Sequence, residues 1–301
     1  MDKLRRVCAL VAERAGSVRV ERGAIAAYAS ALALADGPQG DEQPRLRDRE
    51  QLAAFWLQLN AINFGSGWFP TLRKRNGRSG YSTIAAALQD RAQRDGPWSA
   101  AQLTELDAAA VAGVLGQPAE HELMALYAAS LSQLGELVFD EYGGSFTALV
   151  DAARGSAVEL TTRLGAWPCF ADSSRYDELE IPFLKRAQIA AADLDRAGVA
   201  GFDDIGRLTM FADNLVPHVL RLDGVLSFDP ELVERIDRGE LIEHGSREEV
   251  EIRACAVHAV EQIVAARPGS YAAEVDQLLW LRGRGVRYKS APRHRSRCTA
   301  Y

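Results

Sequence analysis

Cysteine is scarce and poorly placed for pairing. The four residues, at 8, 169, 255 and 298, form no CxxC spacing, which argues against a disulfide framework or a thiolate zinc site and suits a reducing compartment. No apolar run approaches the ~20 residues of a membrane helix. The opening MDKLRRVCAL has no secretory core with a cleavage site. The expectation is a soluble, unexported, cytoplasmic protein. GxxxxGK(S/T), GxGxxG after a strand, HExxH and GxSxG are all missing, which removes many enzyme classes. The five histidines do not pair at metal-ligand spacing, so no metal site is expected. Lysine is rare as well, with 4 against 31 arginines, which makes each lysine a less casual choice.

What is present is ordinary globular material: 301 residues, 48% hydrophobic and 25% charged, enough for a sizeable core and unlike a disordered chain. The net charge of −6 argues against a general nucleic-acid binder, but it hides an asymmetry. Residues 282 to 301 hold seven basic side chains and no acid, so the other 281 residues carry 28 basic against 41 acidic groups, a formal −13. Such a tail either binds an anion, docks on the acidic body or stays solvated.

Helical patterning dominates, so the predicted class is mainly α. The pattern predicts one or two helices in 1–35, a polar breaker at Gly37–Asp48, and helices over Arg49–Ile62, Tyr81–Arg94, Leu103–Leu115 and His121–Tyr142. Shorter pieces follow at 146–155 and 157–164, then a loop, AWPCFADSSRYDE. Pro182 and Gly198 bracket a further helix, Asp229-Pro230 opens another, and Ser246 with Glu249 reads as a capping box. Ser270–Leu281 is the last. With no repeat and no long linker, a single compact domain over 1–301 is expected, with lobes of about 1–150 and 151–301.

Polar residues set into apolar segments are the informative anomaly. Asp213 sits in RLTMFADNLVPHVL, read either as a shielded carboxylate near a helix end at Pro217 or as part of an Asp-Asn turn. Asp276 shares a helix face with Trp280, so a carboxylate and an aromatic plane border one space suited to a planar heterocycle; an exposed position is the alternative. Lys185 lies beside an apolar stripe, where it either snorkels or enters a site. Glu251, Cys255, His258 and Gln262 follow the buried face of their helix as boundary packing, with a possible role for Glu251 or Arg253. Asn63, Phe64, Trp68 and Phe69 with Arg73, Lys74 and Arg75 combine aromatic surface and charge, which suits stacking a base and holding a phosphate.

Five segments taken together, FLKRAQI (183–189), RLTMFADNLVPHVL (207–220), GSREEVEIRACAVHAVE (245–261), VDQLLW (275–280) and HRSRCTAY (294–301), resemble the queuosine salvage proteins, regarded as queuosine 5′-phosphate N-glycosylases/hydrolases. The chain departs from that pattern at Asn214, where Tyr is expected, at His218, where Gln is expected, and in the CTAY ending. The resemblance implies a helical fold distantly like the DNA glycosylases and hydrolysis of queuosine 5′-monophosphate without a cofactor. It implies Asp213 as the carboxylate beside C1′, Lys185 as its partner or a phosphate contact, and Asp276 with Trp280 or Trp68 on the base. Arg295, Arg297 and Tyr301 become candidates for the phosphate. The expected partner is a small nucleotide rather than stably bound nucleic acid or membrane, and a monomer is favoured. Two rivals stay open: a nucleic-acid-binding helical module or glycosylase relative, and an interaction scaffold without turnover.

Overall fold

The computed structural model describes residues 1–32, 44–75 and 77–301. Among them fifteen α-helices and two two-stranded sheets make a mainly α protein. No helix is long and apolar enough to cross a membrane, and no acid, histidine or cysteine group is arranged to hold a metal, among the described residues. Of the breaker at 37–48, residues 37–43 lie outside the described residues; 44–47 form no regular element, and Asp48 caps the next helix.

Short polar caps set most helix starts. Asp48 Oδ1 accepts from Gln51 N at 2.9 Å, opening Arg49–Ala61, whose residues from Ala53 onward are all buried. Ser99 and Gln102 form a reciprocal capping box. This box starts a separate helix at Ala100–Thr104, and Asp107 caps a second at Ala108–Leu115. The single helix expected over 103–115 is therefore two. Ser246 accepts from Glu249 N as expected, but the Glu249 carboxylate turns to Gly245 N instead of completing the box.

Two prolines act differently from expectation. Pro182 ends the strand Leu179–Pro182, and the helix begins later, at Lys185–Arg196, after Leu184 adopts φ 52°. Pro217 lies in the first turn of the helix Leu215–Leu222, where its missing N–H costs nothing; it does not close a helix ahead of it. The loop expected at 166–178 contains the strand Ser173–Tyr176, paired antiparallel with Leu179–Pro182. The other pair joins Val18–Val20 to Leu226–Phe228. Strands of three and four residues are too short to display an alternating pattern.

Buried apolar side chains form two large clusters. One runs from Ala53 through Phe211, with Ala273. The other unites Leu4–Leu32 with residues 176–288. The expected lobe boundary near 150 does not coincide with this division, because the N-terminal helices pack with the C-terminal half. Glu251 explains part of that pairing: its carboxylate accepts from Gly16 N, Ser17 N, Val18 N and the Tyr176 hydroxyl, at 2.6–3.2 Å.

The end of the basic tail is docked on the body, while Arg282, Arg284, Arg287, Lys289 and Arg297 stay exposed. Gly65 N donates to Tyr301 O, Gly67 N to Ser296 O and Ile242 N to Arg295 O. Arg186, fully buried, donates to Ala300 O, Ala61 O and Cys169 O, joining the tail to the end of the helix Arg49–Ala61. A Cβ on Gly67 would lie 2.6 Å from Ser296 O, so only glycine admits the tail so close.

Candidate active site

A cavity of about 700 Å³ takes walls from both apolar clusters, with Trp56 and Phe64 from the first and Leu215 from the second. Its size suits a nucleotide. Three of the four lysines, Lys74, Lys185 and Lys289, line it.

The helix Lys185–Arg196 presents Lys185, Ile189, Asp193 and Arg196 to this space, a progression of i, i+4, i+8 and i+11 that keeps one face inward. Lys185 Nζ donates to Asn63 O at 2.9 Å, and its backbone N–H donates to Asp172 Oδ2 at 2.9 Å. Burial pulls the Lys185 ammonium down to about 8, with the charge of Asp213 opposing that fall. Asp193 accepts from Asn60 Nδ2 at 2.9 Å and from Arg196 Nη1 at 2.7 Å. Burial pushes its carboxyl up against these contacts.

Asp213 follows the buried, irregular stretch Leu208–Ala212. Its Oδ1 accepts from Leu215 N at 2.8 Å and Val216 N at 3.2 Å. The turn contacts are present, and they leave the side chain at the cavity wall. One oxygen organises the helix start, while Oδ2 has no hydrogen-bond partner among the described residues and the side chain borders the cavity. Asp276 is buried, not exposed. Its Oδ1 accepts from Phe211 N at 2.9 Å, and burial, then the negative charge of Asp213, push its carboxyl well above the usual range. Trp280, one turn on, lines the same space beneath the Arg284 guanidinium, 5.4 Å away.

Behind these residues lies Arg253, fully buried. Nε donates to Ala212 O at 2.9 Å, and Nη2 donates to both Asp172 oxygens at 2.9 and 2.7 Å. Its guanidinium lies between the rings of Phe183, 3.9 Å away, and Tyr301, 4.4 Å away. Asp172 in turn holds Lys185 N. One ion pair therefore fixes the backbone on both sides of the cavity, immediately before Asp213 and at Lys185.

Of the residues singled out from sequence, Asn63, Phe64, Phe69, Lys74, Lys185, Asp213, Asp276, Trp280 and Tyr301 border the cavity together. Trp68, Glu251, Arg253, Arg295 and Arg297 do not. Trp68 donates Nε1 to Glu122 at 2.8 Å and lies under Arg297. Glu251 fastens the N-terminal strand, and Arg295 faces a neighbouring cleft. Sequence reasoning missed Asp193 and Arg196 as lining residues, although helical spacing from Lys185 points to both. It also missed Arg78, beside Lys74, and Lys289 and Arg293 as cations of the cavity wall. The side chains of these four make no hydrogen bond or ion pair among the described residues, although the charge of Asp213 acts on Arg293; most arginines elsewhere are paired.

A family model described as queuosine salvage protein matches residues 43–301. A queuosine 5′-phosphate N-glycosylase/hydrolase of Sphaerobacter thermophilus is 34% identical over 307 aligned positions, covering 97% of this chain and 95% of that protein. Proteins of the same name from Bos taurus and Dictyostelium discoideum are 34% and 37% identical, over 57% and 55% of this chain and 56% and 54% of their own lengths. The match spans every segment that builds the cavity, and the chain belongs to the queuosine salvage protein family.

Proposed function

We infer that this protein hydrolyses the N-glycosidic bond of queuosine 5′-monophosphate and releases queuine for salvage. The observation that carries this reading is the convergence of Asp213, Lys185 and Asp276 in one nucleotide-sized cavity with unpaired cations at its mouth, in a member of this family. Four free, buried cysteines support a reducing compartment, and the cytoplasm is our assignment.

Breaking the C1′–N bond develops positive charge on the ribose, and a carboxylate beside C1′ stabilises it. Asp213 Oδ2 takes this role and accepts the proton of the attacking water, whose oxygen bonds to C1′. The bonding pair leaves with the base. A 7-deazaguanine lacks the ring nitrogen usually protonated on departure, so help comes from elsewhere on its ring. Asp276, whose environment favours the neutral acid, donates a hydrogen bond there. Phe64 and Trp280 offer faces for the base, while the Lys185 ammonium sustains the charge of Asp213. Lys289 and Arg293 hold the 5′-phosphate, in place of Arg295 and Arg297. Tyr301 serves through Arg253 and the cavity wall, and a free mononucleotide is the substrate.

Base release measured across queuosine, queuosine 5′-monophosphate and guanosine 5′-monophosphate tests the assignment. Turnover of the queuosine monophosphate in clear preference to the other two is expected, and equal rates on all three, or none, would refute it. A pH profile tests Lys185. Its ammonium persists below about 8 and is lost above, so kcat/KM should decline as pH rises through that value. Lys185→Met should be slow throughout and lack this limb; a decline retained in the variant would assign the titration to another group.

A further inference from the structure

Beside the main cavity lies a smaller one of about 210 Å³, and the two share Lys289 and Arg293 as a common wall. Arg295 adds a third cation to it, and no acidic side chain borders it among the described residues. Its backbone is held from outside. Arg221 Nη2 donates to Pro292 O at 3.0 Å, Ile242 N to Arg295 O at 2.9 Å, and His218 Nε2 lies 2.9 Å from Tyr288 O. These contacts consume the carbonyls and leave the cationic side chains to the cleft. The Arg295 side chain makes only a long hydrogen bond, 3.3 Å, to Gly239 O, and those of Lys289 and Arg293 make none among the described residues.

The acids Asp193, Asp213 and Asp276 line the main cavity only, so the smaller one gathers the three positive charges of Lys289, Arg293 and Arg295 with no acid of its own among the described residues. Clustered cations without acids repel one another, and that repulsion is relieved by anions. A volume of about 210 Å³ is below the ~300 Å³ at which organic ligands begin to fit and suits a tetrahedral anion.

We propose that the smaller cavity is a second phosphate subsite, next to the one used by the monophosphate. Its occupant is a phosphate group, either the β-phosphate of a nucleoside 5′-diphosphate or free inorganic phosphate bound beside the nucleotide. The proposal rests on the reading of the main cavity as a queuosine 5′-monophosphate site.

Two measurements on the full chain separate these sources. In the first, the KM values for queuosine 5′-monophosphate and 5′-diphosphate are compared in the parent protein, Arg295→Gln and Arg295→Lys. If the β-phosphate is the occupant, the diphosphate has the lower KM by about tenfold, the worth of one charge-assisted contact. Arg295→Gln abolishes that ratio and Arg295→Lys keeps part of it. In the second, inorganic phosphate is titrated calorimetrically into Asp213→Asn saturated with the monophosphate. Saturable binding that disappears when Arg295→Gln is added identifies free phosphate as the occupant. A KM ratio near one with no phosphate binding overturns the proposal, as does either signal persisting unchanged in Arg295→Gln. Failure of the parent protein to release base from the monophosphate would instead overturn the functional reading.

Discussion

Asp213→Asn is expected to lower kcat for queuine release by at least 10²–10³-fold, roughly the loss seen when one group stabilising transition-state charge is removed, with KM changed little. The asymmetry of the carboxylate makes this a clean substitution. Oδ1 accepts from Leu215 N and Val216 N, and the Asn carbonyl oxygen retains that role, so the helix start survives. Only the charge and the free oxygen are exchanged for an amide. Single-turnover release together with nucleotide binding by calorimetry checks the result. Turnover within a few fold of the parent protein would remove Asp213 from the chemistry.

Arg253→Met should cost about 3–5 kcal/mol of stability, because it strands a buried carboxylate at Asp172, and should reduce kcat as well. Both Asp172 oxygens lose their guanidinium, Ala212 O loses its donor, and the rings of Phe183 and Tyr301 lose the plane between them. Arg253→Lys should not restore activity, since an ammonium cannot span Ala212 and Asp172 together while stacking on two rings. Arg253 also faces the buried Glu249 carboxylate at 3.6 Å, so the double variant Arg253→Met/Asp172→Asn removes one of two stranded charges and should recover part of the stability, with kcat still low because Ala212 remains unanchored. Urea denaturation and steady-state kinetics on the three variants separate the effects. If the double variant regained full kcat, Arg253 would be structural and not a positioning residue for Asp213.

Much of the cavity floor was legible in the sequence because a charged residue inside an apolar helix has few alternatives to a site. That logic found Asp213, Lys185 and the Asp276–Trp280 pair, all of which border the cavity. Asp193 and Arg196 share the inward face of Lys185 but look like an ordinary i,i+3 surface ion pair, so they carried no anomaly. The two short strand pairs were invisible for want of length. The tail was legible in composition and not in direction. Arg293, Arg295 and Arg297 fall in an extended segment, where neighbouring side chains point oppositely, and the anion-binding, docking and solvated readings of the seven cations said nothing about which of them would face the nucleotide. Lysine scarcity proved a better guide: three of four line the cavity.

The tail is held through main-chain oxygens at His294, Arg295, Ser296, Ala300 and Tyr301, contacts that any residue type supplies. Side chains at 296, 298 and 300 are buried while those at 297 and 299 are exposed. Mutational tolerance in this stretch should therefore alternate with a period of two: substitutions at 297 and 299 drift freely, and neighbours one step away accept only small or closely matched replacements.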